Sequence, residues 1–157
     1  MGDALSTVEL RRATLDDAEL LYDWRNDPET RRNSFSSDEI PFDVHVEWLR
    51  NKLAEPNCRL FIAELDGTPV AQVRVDRRGE DWAEVSVGVA SEARGLGLGR
   101  TVIGAGSAAG AEQLGVTRVV ARIKPENLAS VAAFHAAGYV PRPGRDDDSA
   151  LTFEWRV

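Results

Sequence analysis

A short glycine-rich segment, Arg94-Gly95-Leu96-Gly97-Leu98-Gly99, constrains the fold of this chain more than any other feature. It follows the alternating stretch from Trp82 to Val89 and opens a stretch rich in alanine and glycine that ends at Gly115. These patterns predict a strand followed by a helix. Glycine allows the backbone to approach a ligand closely, and the free N–H groups at the start of a helix bind anions. The segment therefore predicts an anion site between a strand and a helix.

Two nucleotide-binding patterns compete for this segment, and both fail on spacing. The dinucleotide fingerprint G-x-G-x-x-G needs a third glycine where Arg100 or Val102 stands. A Walker A loop needs lysine and then serine or threonine after its last glycine, whereas Arg100 and Thr101 follow Gly99. The pattern that remains is Arg94-x-x-Gly97-x-Gly99.

Hydrophobic periodicity predicts the order β-α-α-β-β-β-α-β-α-β-β, with no repeat and no linker. We expect one domain over residues 1–157, in an α/β fold with a mixed central sheet covered by helices. Six of the seven predicted strands have bounds: Val8 to Arg12, Arg59 to Leu65, Val70 to Asp76, Trp82 to Val89, Arg118 to Ile123 and Ala150 to Val157. The predicted helices run from Thr14 to about Asn26, Asp43 to Leu53, Leu98 to Leu114 and Asn127 to Ala137.

Composition excludes several classes of protein. The formal net charge of −7 argues against a nucleic-acid partner, because such domains present a basic face. No apolar run approaches the ~20 residues that span a bilayer, and Met1-Gly2-Asp3-Ala4 lacks the start of a signal peptide. We therefore expect no membrane partner and a cytoplasmic location. The lone Cys58 and the two histidines, His45 and His135, argue against a metal site.

A second block lies downstream of the glycines. It reads Lys124-Pro125-Glu126-Asn127-Leu128-Ala129-Ser130, followed by Phe134 and Gly138-Tyr139. At about 100° per residue, the side chains at positions 127, 130 and 134 share one face of a helix. Together with Arg94-x-x-Gly97-x-Gly99 and the order of elements, this block resembles the GNAT superfamily of N-acetyltransferases.

This resemblance implies a GNAT acyl-CoA N-acyltransferase fold, with a mostly antiparallel sheet flanked by helices, and acetyl-CoA as co-substrate without a metal. It implies that the backbone of Val87, Gly88 and Val89 meets the pantetheine arm, and that Asn127, Ser130 and Phe134 lie beside coenzyme A. It assigns the pyrophosphate to Arg94, Gly95, Leu96, Gly97, Leu98, Gly99 and Arg100.

The candidate general base lies on the strand that precedes the glycine-rich segment. Alternation places Glu84, Ser86 and Gly88 on one face of that strand, and many superfamily members carry a general base at the position of Glu84. We interpret Glu84 as the base, acting through water, with a solvated residue or an ion-pair partner as the alternative. Phe134 stands where many relatives have the tyrosine that protonates the leaving thiolate. We interpret it as a wall against coenzyme A; Ser130 and Tyr139 are weaker candidates for the acid.

The amino-terminal third of the chain carries the residues that indicate which amine accepts the acetyl group. Tyr22-Asp23-Trp24-Arg25-Asn26-Asp27-Pro28 and His45-Val46-Glu47-Trp48 resemble the bacterial GNAT enzymes that acetylate nucleotide-linked amino sugars. Trp24, Arg25 and Asn26 are thus candidate substrate-binding residues; the alternatives are a core position for Trp24 and a helix end for the other two. His45 falls within the apolar arc that Val44, Trp48, Leu49 and Leu53 form on the helix from Asp43 to Leu53. It is a candidate catalytic residue of the cleft, with a core histidine as the alternative.

These features predict an acetyl-CoA-dependent N-acetyltransferase whose acceptor is a small-molecule amine. The first candidate for this amine is a nucleotide-linked amino sugar. A homodimer is the assembly to test. A modest carboxylate relay suits a sugar amine or an α-amine, whose pKa lies near ~8, better than a lysine. The alternatives are acetylation of a protein N-terminus and a non-catalytic acyl-CoA-binding domain.

Overall fold

The computed structural model describes residues 7–35, 38–142 and 150–157. Seven strands form one sheet in the order β1-β2-β3-β4-β5-β7-β6. The strands are β1 Val8–Arg12, β2 Cys58–Leu65, β3 Thr68–Arg77, β4 Trp82–Val89, β5 Arg118–Ile123, β6 Val140–Pro141 and β7 Leu151–Arg156. The helices are α1 Ala18–Arg25, α2 Pro28–Asn33, α3 Phe42–Ala54, α4 Leu98–Leu114 and α5 Leu128–Ala136. Short 3₁₀ turns cover Leu15–Asp17 and Ser91–Ala93.

The sheet is antiparallel except for one pair of strands, β4 and β5. The parallel register of that pair runs from Trp82↔Arg118 to Val85↔Ala121 and stops there, although β4 continues to Val89. Strands β4 and β5 therefore part after Val85. The mixed α/β fold with a mostly antiparallel sheet is confirmed.

Helix α4 packs directly on one face of the sheet. A Cβ atom on Gly106 would lie 2.5 Å from Val73, and one on Gly110 would lie 2.6 Å from Val75. The glycines therefore remove side-chain bulk where helix and strand touch. Side chains of β3 that alternate with these valines point to the opposite face, where α1 and α3 pack on β2.

Most predicted boundaries are confirmed. Asp66 and Gly67, which both have positive φ, form the turn between β2 and β3. The sequence pattern misses helix α2. None of its six residues is buried, so it carries no apolar periodicity, although Asp27 caps it and Pro28 occupies its first turn. The predicted apolar arc of α3 is wrong at Val44, which is 51% exposed, because α3 turns His45 and Leu49 into the core instead.

Within the three described ranges, no helix has both the length and the apolar character needed to cross a membrane.

Candidate active site

The glycine-rich segment joins β4 to α4 at the point where the sheet opens. Gly95 and Gly97 have φ values of 82° and 75°, which side-chain-bearing residues rarely adopt. A Cβ atom at either position would meet nothing within 4 Å, so the backbone borders open space there. The N-terminal N–H groups of the 17-residue helix α4 begin at this point. Backbone donors beside open space are what an anionic phosphate requires.

The edge of β4 beyond Val85 offers a second set of backbone groups. The segment Ser86–Val89 pairs with β3 on one side, and its parallel pairing with β5 has ended. Its remaining N–H and C=O groups therefore face the gap between the two strands. This gap lies directly before the glycine segment, so a long, thin ligand could run from one to the other. The residues present fit the phosphates and the amide-bearing arm of coenzyme A.

Arg94 does not point into this open space. Its guanidinium donates hydrogen bonds of 2.9 Å to the carboxylate of Asp27 and to the hydroxyl of Thr30, and it lies 3.7 Å from Glu29. The role of Arg94 as a phosphate ligand therefore stays a prediction that requires the side chain to leave α2. Leu96 and Arg100 are exposed beside the loop, and Leu98 and Gly99 open α4.

Helix α5 packs against the glycine-rich segment. Asn127 caps it, because the side-chain oxygen accepts a 3.2 Å hydrogen bond from the backbone N–H of Ser130. A Cβ atom on Gly99 would lie 3.1 Å from Ala133, so α4 and α5 touch there. Asn127 and Ser130 lie at the N-terminal end of α5, and contact between them and coenzyme A stays a prediction.

Phe134 and Tyr139 are core residues. Phe134 is 3% exposed, and its ring stands edge-on to Tyr139 with centroids 4.9 Å apart. Tyr139 is 1% exposed; its hydroxyl lies 2.5 Å from that of Ser107 on α4, and burial raises its pKa. Phe134 thus presents little surface for the predicted coenzyme A wall. The prediction of Tyr139 as a candidate acid is wrong, because its hydroxyl group is buried in the core.

Glu84 lies on the face of β4 opposite α4, two residues before the strands part. Its carboxylate accepts a 3.1 Å hydrogen bond from the Nε of Arg78. Ser86 follows on the same face and is exposed at the start of the gap. Ser86 is a candidate site residue that alternation along β4 does not distinguish from its neighbours; the end of the β4–β5 register is the signal that reveals it.

A cavity of about 350 Å³ lies between α1, α2 and the end of β4. Trp24 and Asn26 line it together with Val89 and Arg94. The indole of Trp24 is partly buried and contacts both clusters of the core. The structure thus brings two predicted acceptor residues, Trp24 and Asn26, to the end of the strand predicted to hold coenzyme A. Their contact with a substrate stays a prediction.

His45 does not face this cavity, so its placement in the cleft is wrong. It is 1% exposed, and its Nε2 lies 3.1 Å from the backbone carbonyl of Ala18. Its ring stacks on Trp48 and contacts Tyr22, while its Nδ1 has no hydrogen-bond partner among the described residues. Burial lowers its pKa, which keeps the ring neutral. The apolar arc of α3 indicated burial correctly, and His45 is a core histidine.

The chain matches one protein-family model. Residues 7–140 match the model of the acetyltransferase (GNAT) domain, Acetyltransf_3, which covers most of the chain. Comparison with curated protein sequences gives no significant match.

Solved structures share the whole architecture. A domain from Methanocaldococcus jannaschii DSM 2661 superposes with a TM-score of 0.82 at 21% identity, covering 97% of this chain and 99% of that one. The aminoglycoside acetyltransferase AAC(6')-Ib, in complex with paromomycin and acetyl-CoA, gives 0.81 at 19% identity, with 96% and 93% covered. Spermidine N-acetyltransferase from Vibrio cholerae, in complex with CoA and spermine, gives 0.81 at 17% identity, with 94% and 92% covered. At these identities the likeness establishes the fold.

Proposed function

The chain belongs to the GNAT acetyltransferase family, and on that premise we propose that it transfers an acetyl group from acetyl-CoA to a primary amine of a small molecule. The observation that carries this proposal is the gap between β4 and β5. The gap starts after Val85 and leads directly to the two glycines with positive φ at the start of α4. A ligand that combines an extended arm with a pyrophosphate fits this arrangement.

Strand β4 and the start of α4 would bind different parts of coenzyme A. The backbone of Val87, Gly88 and Val89 would hold the pantetheine arm in the gap. The N–H groups around Gly97 and Gly99 would hold the pyrophosphate, with Arg100 exposed beside them. When bound, the thioester supplies an activated acetyl group. The contact of α5 with Gly99 supports a role for Asn127 and Ser130 beside the same ligand.

Proton transfer requires a base for the amine. The new N–C bond forms as the C–S bond breaks, so the amine loses one proton and the departing thiolate gains one. Glu84 is placed to accept the first proton through a water molecule, because it lies on the open face of β4 next to Ser86. Its carboxylate also forms an ion pair with Arg78. Because the Phe134 ring has no acidic proton and the Tyr139 hydroxyl is buried, we assign the thiolate proton to solvent.

The first candidate acceptor is a nucleotide-linked amino sugar. Its support is the Trp24-Arg25-Asn26-Asp27 sequence, and the cavity that Trp24 and Asn26 share with the end of β4. The small-molecule complexes of structural neighbours, with paromomycin and with spermine, support a small amine more broadly. Acetylation of a protein N-terminus remains the second candidate.

Release of free thiol from acetyl-CoA tests the proposal. The amine panel contains nucleotide-linked amino sugars, polyamines, an aminoglycoside, amino acids and a peptide with a free N-terminus. Amine-dependent thiol release, with the acetylated product found by mass spectrometry, supports the proposal. Binding of coenzyme A without thiol release for any amine would support a non-catalytic acyl-CoA-binding domain instead.

A further inference from the structure

Two arginines share one aromatic ring on the open face of the sheet. The guanidinium carbon of Arg25, at the end of α1, lies 5.2 Å from the centre of the Trp48 ring. The guanidinium carbon of Arg74, on β3, lies 5.4 Å from the centre of the same ring. The ring holds both cations by cation–π attraction. Two like charges are thus held at one ring, close enough for the charge of Arg74 to act on Arg25.

The carboxylates nearby do not balance these charges. Asp76 accepts a 2.9 Å hydrogen bond from Arg74 and one of 3.2 Å from Lys52, so one carboxylate already serves two cations. Within the part of the chain that the structure describes, no carboxylate lies at ion-pair distance from Arg25. A half-buried guanidinium without a counter-ion is costly. Burial, and then the charge of Arg74, lower the pKa of Arg25.

This arginine pair lies beside the predicted reaction centre. Arg74 is directly opposite Ser86 in the β3–β4 register, and Ser86 is the first residue of the gap. Both side chains belong to the sheet face that carries Glu84. The Cα atoms of Arg74 and Ser86 are therefore about one strand spacing, roughly 5 Å, apart. An anionic group held by the pair would lie on the same face of the sheet as the predicted reaction centre, within reach of another part of the acceptor molecule.

We propose that Arg25 and Arg74, held on Trp48, bind an anionic group of the acceptor, so the enzyme prefers amines that also carry a phosphate or a carboxylate. Guanidinium groups are the side chains best suited to these anions, because their planar donors match two oxygens at once. This inference rests on the proposed function and narrows its substrate class. It sets the chain apart from an enzyme for purely cationic amines.

Matched amine pairs test the preference. We would measure kcat/KM for ethanolamine against O-phosphoethanolamine and for glucosamine against glucosamine 6-phosphate. The wild type should favour the phosphorylated member, and Arg25→Gln should lower that ratio at least tenfold. Arg50→Gln is the matched control, because Arg50 is exposed on the same helix as Trp48 and pairs with Glu47. An equal ratio in wild type and Arg25→Gln would overturn the proposal.

Binding of inorganic phosphate separates this inference from the proposed function. Titration calorimetry is carried out with saturating coenzyme A, so that the phosphate site at α4 is filled. The wild type and Arg50→Gln should bind phosphate with similar affinity, and Arg25→Gln and Arg74→Gln should each bind it at least tenfold more weakly. If no amine is acetylated, the proposed function fails. The titration still shows whether Arg25 and Arg74 form an anion-binding site. Equal phosphate affinity in all four proteins would exclude it.

Discussion

The guanidinium of Arg94 donates a 2.9 Å hydrogen bond to the carboxylate of Asp27, a residue 67 positions earlier in the chain. The same carboxylate caps α2 by accepting a 3.1 Å hydrogen bond from the N–H of Thr30. Burial alone would raise the pKa of Asp27, but the N–H of Thr30 and the charge of Arg94 outweigh it, and the pKa falls. This ion pair joins the glycine-rich segment to the helix pair that lines the cavity.

A double-mutant cycle tests this connection. Asp27→Asn keeps a good helix cap and removes the charge, and Arg94→Gln removes its partner. Because both side chains are partly exposed, we expect a coupling free energy of about 0.5–1 kcal/mol from urea unfolding, smaller at high salt. Additive effects of the two substitutions would show that the pair contributes nothing to stability. With saturating coenzyme A the coupling should vanish if Arg94 moves to the pyrophosphate.

Glu84→Gln separates a base from an ion-pair partner. If Glu84 accepts the amine proton, the substitution should lower kcat about 10²-fold while the Kd for coenzyme A stays near the wild-type value. Arg78→Gln is the control, because it breaks the same 3.1 Å ion pair and keeps the carboxylate. Steady-state kinetics at neutral pH and calorimetry measure the two quantities. Unchanged turnover in Glu84→Gln, or equal losses in both variants, would exclude Glu84 as the base.

The helices and strands of this fold can be predicted from the sequence, whereas the contacts between them cannot. Helix α4 has the predicted bounds because the glycines before it and Gly115 after it set its ends. The pair formed by Arg94 and Asp27 depends on how α2 packs against the loop, which no pattern along the chain encodes. His45 shows the same limit: periodicity indicated a buried face but not whether that face borders a cleft.

Two glycines of α4 give opposite expectations for the same substitution. Gly106→Ala places a Cβ atom 2.5 Å from Val73, so helix and strand must separate, and we expect a loss of about 1–2 kcal/mol in the free energy of unfolding. Gly104→Ala meets nothing within 4 Å and should gain up to about 1 kcal/mol from helix propensity. Urea unfolding of the two variants measures both. Equal effects would contradict the close packing of α4 on β3.

The buried His45 should make stability depend on pH. Burial lowers its pKa below the ordinary 6.5, so the unfolded chain binds a proton more readily than the folded one. The free energy of unfolding contributed by this group is therefore complete above pH 6.5 and declines as the pH falls toward the folded pKa, with a slope of at most about 1.4 kcal/mol per pH unit.

His45→Gln, whose amide can still donate to the carbonyl of Ala18, should flatten this decline between pH 6.5 and about 5, above the range where most carboxylates titrate. His135→Gln is the control, because His135 is exposed on α5. Urea unfolding over this pH range gives the slope for each protein. The prediction requires the wild type and His135→Gln to share a slope that His45→Gln lacks; three equal slopes would mean that the histidine titrates alike in the folded and unfolded chains.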